Sequence, residues 1–412
     1  MRRSVILVAL FAVLYICVAL PRNGFAGPLQ PNATFTGDAA TGGVAFSADA
    51  VRGDIGTDIC TGAAASLCLR VDTVAANILP SPNKDTVTVK AAYLYNTTFA
   101  GSLVSPALTT LATLGVTGGI PNQVTLSLLP GATPTPIGLY TYRADVTSIV
   151  APLVNGAPAL IRIPVASIGN PGSDGLALVV VFSSPGLDPR QSVAILDGGQ
   201  AGNTGPATVG GVTGFTTTAF GLTAPVDKTI PNFNAVLSLG IQFSDQEVLG
   251  HACGQNPNFA QFSIVNVNGG RLTSCAGGAD DGALQNSALI TVGGVGDGTA
   301  NPSDPFCQAG NPNCSTTDDE LYGIAGLLNQ GDTQVQLSTI NPSNDDSIFL
   351  AILQLTGVPP SCTGADCPCT GANCPCTGAD CPPRGVPGPA TLILLGAGLL
   401  ALIAGSRLFR KR

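Results

Sequence analysis

Between about Leu29 and Gly357 the chain is written in short apolar runs separated by clusters of Gly, Asn, Asp and Pro, and this rhythm confines it to β-structure. Val87, Val89, Ala91, Tyr93 and Tyr95 alternate with Thr88, Lys90, Ala92 and Leu94, the period of a strand with two unlike faces. Val124, Leu126 and Leu128 repeat the pattern, whereas residues 175–182 are unbroken apolar, as expected of a strand covered on both faces. Residues 192–196, 235–241, 262–267, 288–292, 335–340 and 348–355 are further candidate strands. No helices alternate with these strands, so the expected class is all-β, an antiparallel β-sandwich ectodomain, not a parallel α/β sheet. Residues 27–225 read as one β-sandwich region and 226–357 as a second β-rich region with acidic loops; one large domain fits the same pattern. Two short helices are predicted. Asp145 caps one over residues 146–150, and Thr317 with Glu320 forms a capping box ahead of Leu321, Ile324, Leu327 and Leu328, with Gly331 at the stop.

Composition narrows the function classes. Of 412 residues 45% are hydrophobic, which excludes a disordered polymer, and only 10% are charged, against roughly 25% in an average soluble domain. The 52 Gly and 32 Pro supply turns, and there is no Trp. The net charge is −8. Loss of Arg2, Arg3 and Arg22 with a leader, and of Arg407, Arg410, Lys411 and Arg412 with a tail, leaves 10 of the 17 basic residues against 25 acidic ones, a charge of −15. A chain so poor in cations does not neutralise phosphates, so no nucleic-acid partner is expected.

Both ends read as addresses. Met1-Arg2-Arg3, an apolar run to Leu20, and Gly24-Phe25-Ala26 form a signal peptide over 1–26 with cleavage after Ala26; an uncleaved N-terminal anchor is the alternative. At the other end, Val386-Pro387-Gly388-Pro389-Ala390-Thr391 precedes a 16-residue apolar stretch over 390–405 and then the basic cluster. That stretch is a single short transmembrane helix whose basic end stays cytoplasmic. A Pro-x-Pro-Ala-Thr motif, one Gly-rich apolar helix and an Arg-rich end resemble the sorting tail of the PEP-CTERM family. Gly388 stands where that family usually carries Glu. The resemblance covers 386–412. It implies exosortase as the processing partner, export through a Gram-negative inner membrane, and a final place at the cell surface, in the outer membrane or outside the cell. It also implies an association with exopolysaccharide and biofilm. Unprocessed, the chain would remain anchored in the inner membrane.

Cys17 lies in the leader, and the other 12 of 13 cysteines are an even set in an exported chain, which points to disulfides. The simplest pairing joins sequence neighbours, Cys60–Cys68, Cys253–Cys275 and Cys307–Cys314, although sequence alone does not fix connectivity. Over 358–385 three heptapeptides repeat, each closing a C-x4-C pair on a Thr-Gly-Ala-Asp/Asn turn: Cys362–Cys367, Cys369–Cys374 and Cys376–Cys381. This is a stapled stalk, with a thiolate metal site on the C-x-C pairs as the competing reading.

Residues for catalysis are scarce. His251 is the one histidine, with no G-x-S-x-G elbow beside it, and Gly293-Gly294-Val295-Gly296 reads as a turn. Acidic loops are the remaining signal. Asp280, Asp281, Asp297, Asp318 and Asp319 are candidate Ca²⁺ ligands, because loop carboxylates are hard oxygen donors; as turn and cap residues they need no metal. No other cofactor is expected. The reading is a structural or adhesive envelope or matrix protein without catalysis. The alternatives are a Ca²⁺-dependent carbohydrate-binding module and a glycan hydrolase built on two facing carboxylates.

Overall fold

In the computed structural model the described residues are 29–52, 67–72, 87–99, 107–117, 120–129, 139–155, 160–168, 173–201, 216–243, 263–277, 289–295, 297–306, 320–340 and 347–357. Their regular structure is almost entirely strand. In chain order these are β1 (Gln30–Thr36), β2 (Gly43–Arg52), β3 (Leu67–Asp72), β4 (Thr88–Phe99), β5 (Thr109–Thr117), β6 (Ile120–Leu128) and β7 (Leu139–Asp145). Helix α1 (Thr147–Val154) is followed by β8 (Leu160–Ile168), β9 (Ser173–Ser184), β10 (Gln191–Ala201), β11 (Thr216–Gly221), β12 (Ala235–Gln242) and β13 (Ser263–Val267). The last are β14 (Gly270–Ala276), β15 (Ile290–Val292), β16 (Leu321–Gly323), β17 (Gln334–Ile340) and β18 (Ser347–Thr356).

These strands form three antiparallel sheets. An eight-stranded sheet runs β2-β9-β4-β7-β6-β5-β8-β3 and curls until β3 lies beside β2. A six-stranded sheet runs β1-β10-β18-β12-β15, with β16 also on β12, and a four-stranded sheet runs β11-β17-β13-β14. The alternation seen in the sequence sorts side chains between cores. On β9, Leu176, Leu178, Val180 and Phe182 enter one core with Leu94, Leu114, Leu126 and the α1 residues Val150 and Val154. Ala177, Val179 and Val181 enter another, against Val193, Ile195, Phe349 and Ile352 of the six-stranded sheet. A third core joins the far face of that sheet to the four-stranded one through Leu237, Leu239, Leu353, Val265, Val267 and Leu337. With a core on either side, every residue of β9, β12 and β18 is buried. That is why residues 175–182 of β9 read as an unbroken apolar run.

Pairing crosses the 225/226 boundary expected from sequence: β10 pairs β18, and β11 pairs β17. The helices also differ from expectation. Asp145 Oδ1 does accept the Thr147 N–H at 2.9 Å, but Val146 occupies the N-cap position and the helix continues to Val154, with Pro152 inside. The expected capping-box helix after Glu320 is replaced by strand β16 and a single 3-10 turn, Ala325–Leu327. The cause is pairing. Leu321, Tyr322 and Gly323 add to β12, while Glu320 turns with φ 53° and its Oε1 accepts the Gly277 N–H at 2.6 Å. Thr317 lies outside the described residues.

No helix among the described residues is long and apolar enough to cross a membrane. The signal peptide, the stalk over 358–385 and the sorting motif Val386 to Thr391 lie outside them.

Candidate functional site

The two large sheets meet along a face that is mostly apolar, and a group of ionisable side chains enters it between β4, β7 and β10. On β4, Tyr93 and Tyr95 share a face; on β7, Arg143 and Asp145 are their cross-strand partners. Opposite them, β10 ends its apolar run in Asp197, whose side chain is 6% exposed. Asp197 Oδ2 accepts from the Tyr95 hydroxyl at 2.8 Å and from Arg143 Nη1 at 2.6 Å. The Arg143 side chain remains 26% exposed, and its guanidinium lies 5.7 Å from the Tyr93 ring centroid. Tyr95 packs obliquely against Phe349, centroids 5.8 Å apart. The cluster thus ties β4 and β7 of one sheet to β10 of the other.

Its electrostatics follow from burial. Desolvation pushes the Asp197 carboxyl above its ordinary value, against the opposing pull of Arg143 and Tyr95. Burial acts to lower the Arg143 guanidinium, but Asp197 and then Tyr95 outweigh it and the group is raised. The Tyr93 phenol is pushed up to about 12, first by burial and then by Asp145, and Tyr95 rises well above 10 by burial and Asp197. Burial also raises Tyr140 and Tyr142. Folded values above the unfolded ones mean that tyrosine burial stabilises the fold at neutral pH, and that this contribution is lost as pH rises through the folded values. In an alkaline titration followed by tyrosinate absorbance, Tyr93 and Tyr95 are expected to ionise at higher pH in the native protein than in the denatured one, which titrates near pH 10. A native curve centred at the denatured value would contradict this site.

Of the five acidic candidates for Ca²⁺, Asp297 is described and fully buried. Its Oδ2 accepts the Gly294 N–H at 2.7 Å, and the same turn is pinned to β2 by Val295 N–H donating to Ala48 O at 2.9 Å. Gly294 is required there, since a Cβ would lie 2.0 Å from that carbonyl oxygen. Asp280, Asp281, Asp318 and Asp319 lie outside the described residues, as does His251. Among the described residues no three His, Cys, Asp or Glu side chains gather as for a metal ion. The ends of the acidic loops do converge: Gly277, where the segment bearing Asp280 and Asp281 begins, donates to Glu320, which directly follows Asp319. Cys275 is disulfide-bonded, and its partner lies outside the described side chains. Cys60, Cys253, Cys307, Cys314 and the six stalk cysteines are also outside, and Cys68 is described only as backbone of β3.

A second polar grouping lies on the surface of the four-stranded sheet. Arg271 on β14 donates to Asn266 Oδ1 at 2.8 Å and to Ser274 Oγ, and its guanidinium covers the Phe306 ring at 5.2 Å. Phe306 is 65% exposed. Asp304 Oδ1 accepts the Phe306 N–H at 3.1 Å and fixes the turn that carries the ring.

Asp197, Arg143 and Tyr95 do not stand out in the sequence reading. The signal that finds them is rarity: a carboxylate ending an apolar strand, and an arginine inside one, in a chain with only 10% charged residues.

No family model and no curated protein matches the chain. Among solved structures it is similar to PNGF-II in a P21 crystal form, at 13% identity and a TM-score of 0.23, over 76% of this chain and 65% of that one. It is also similar to peptide-N(4)-(N-acetyl-β-D-glucosaminyl) asparagine amidase, at 12% identity and TM-score 0.25, over 78% and 97% of the two chains. Recombinant peptide:N-glycanase F gives 12% identity, 0.25, 76% and 96%. At such scores no residue of this chain is matched to a residue of theirs.

Proposed function

We propose that this chain is an exported protein of the cell envelope or extracellular matrix, with a β-sandwich ectodomain that acts as a structural or adhesive element and not as a catalyst. One observation carries the proposal: Tyr95 and Arg143 of one sheet both donate to the buried Oδ2 of Asp197 on the other, which joins the two sheets. A catalytic group needs capacity left for a substrate, whereas a joint uses its capacity internally. The tail, through its PEP-CTERM resemblance, supports processing by exosortase, surface placement and association with exopolysaccharide. Intact-mass analysis of fractionated cells tests the address. Loss of residues 1–26 and of the apolar tail, with the protein in the surface or medium fraction, is the expected result. A full-length C-terminus in the inner membrane would remove the sorting reading. A deletion strain that keeps its matrix and adhesion unchanged would remove the structural one.

The second reading is Ca²⁺-dependent carbohydrate binding. It is favoured by the exposed Phe306 ring, held from behind by Arg271, which offers a flat face for stacking a sugar. It requires that a chelator lower the melting temperature or abolish glycan binding; an unchanged response to chelator excludes Ca²⁺ from it.

A further inference from the structure

The contact between the two large sheets continues past Arg143 into a second polar group. One alternation along β7 lies Thr141, and one along β4 past Tyr95 lies Thr97, its cross-strand partner. Thr141 Oγ1 donates to Gln242 Oε1 on β12 at 3.0 Å, so this pair also bridges the sheets. Gln242 is in turn the register partner of Ser347 on β18. Thr97, Gln242 and Ser347 are 0% exposed and Thr141 is 2% exposed. Three of their polar atoms, Thr97 Oγ1, Gln242 Nε2 and Ser347 Oγ, have no protein hydrogen-bond partner.

Buried polar atoms are rarely left unmet, because each has given up its hydrogen bonds to solvent. We infer that Thr97, Gln242 and Ser347 form an internal water-binding site between the two sheets. The chemistry selects water. The group carries no charge, and the Gln242 amide presents donors, which a metal cation rejects. Two hydroxyls and one amide donor supply the three partners that a buried water typically takes. Such a water accepts from Gln242 Nε2 and exchanges hydrogen bonds with the two hydroxyls, so both sheets grip it. It extends the joint made by Asp197, Arg143 and Tyr95 without adding a titratable group.

The test is water-oxygen relaxation dispersion on the full chain, which counts long-lived internal waters, for the native protein and a Thr97→Val/Ser347→Ala variant. The variant is expected to show about one such water fewer. Equal counts, with the variant's tyrosine titration unchanged, would overturn the site. If the double variant fails to fold, a high-resolution crystal structure of the native chain decides. Density about 2.7–3.2 Å from all three atoms supports the site; direct bonds among the three side chains overturn it.

Discussion

Arg143→Ala is expected to lower the unfolding free energy by about 3 kcal/mol at neutral pH, because it leaves a buried carboxylate with its neutralising partner gone. Asp197 keeps the Tyr95 hydroxyl, but one neutral donor does not replace a guanidinium at 2.6 Å. The partial exposure of Arg143 places the effect at the low end for buried pairs. The effect also depends on pH in a defined direction. Asp197 already holds its proton more tightly in the folded chain than in the unfolded one, so its contribution to stability falls as pH rises through the folded value. Removing Arg143 takes away an opposing pull and raises that value further. The variant's deficit should therefore be largest at neutral and alkaline pH. It should shrink as acid neutralises the carboxyl. Asp197→Asn provides the control, since an uncharged amide in that position needs no cation. Urea unfolding of the two single variants and the double variant, at two pH values, measures the coupling. An Arg143→Ala deficit that is the same at both pH values, and the same when combined with Asp197→Asn, would mean that Arg143 stabilises only by packing.

Phe349→Ala should cost more, about 4 kcal/mol, the range of a large aromatic removed from a close-packed core. Phe349 is fully buried and sits where the β12–β18 register shifts, between the pairs Gly240↔Leu350 and Ile241↔Ile348. The extra residue has no partner of its own on β12, which turns its ring toward Tyr95. Gly240 makes room for it: a Cβ there would lie 3.0 Å from the ring and 2.8 Å from Leu350 Cβ. Gly240→Ala is therefore also destabilising, from overpacking and not from a cavity. Phe349→Leu, which keeps most of the apolar volume, should cost roughly half as much as the alanine change. Chemical denaturation with unchanged slope would report these as native-state effects, and a loss below about 1 kcal/mol for Phe349→Ala would show that the core closes over the gap.

Strand existence was legible where alternation or burial was strong. Residues 88–95, 124–128, 175–182, 235–241 and 348–355 all fall in strands. Sheet partnership was not legible, because the period of two fixes which face a residue occupies and not which strand lies beside it. Thus β1 pairs β10, and β10 pairs β18 from the far end of the described chain. The segment after Glu320 shows how a local pattern is overridden. Leu321, Ile324, Leu327 and Leu328 match helical spacing, yet Leu321 and Tyr322 are both buried, in different cores, as adjacent residues of a strand are. The joint at Asp197 was hidden for a related reason: it exists only once β10 faces β4 and β7, residues more than fifty positions away.

The position of β18 bears on mechanics. It is the last described strand, and it is hydrogen-bonded along its length to β10 on one side and β12 on the other. β1 and β18 both run antiparallel to β10 and so point the same way, which sets the start of β1 and the end of β18 at opposite ends of the sheet. Were the protein held through the stalk expected after Gly357, a pull between that stalk and the start of β1 would act along the axis of β18. The two ladders are then loaded in shear, many bonds at once, and do not peel open one bond at a time. Separating β18 from its sheet would then require the bonds to β10 and β12 to break together.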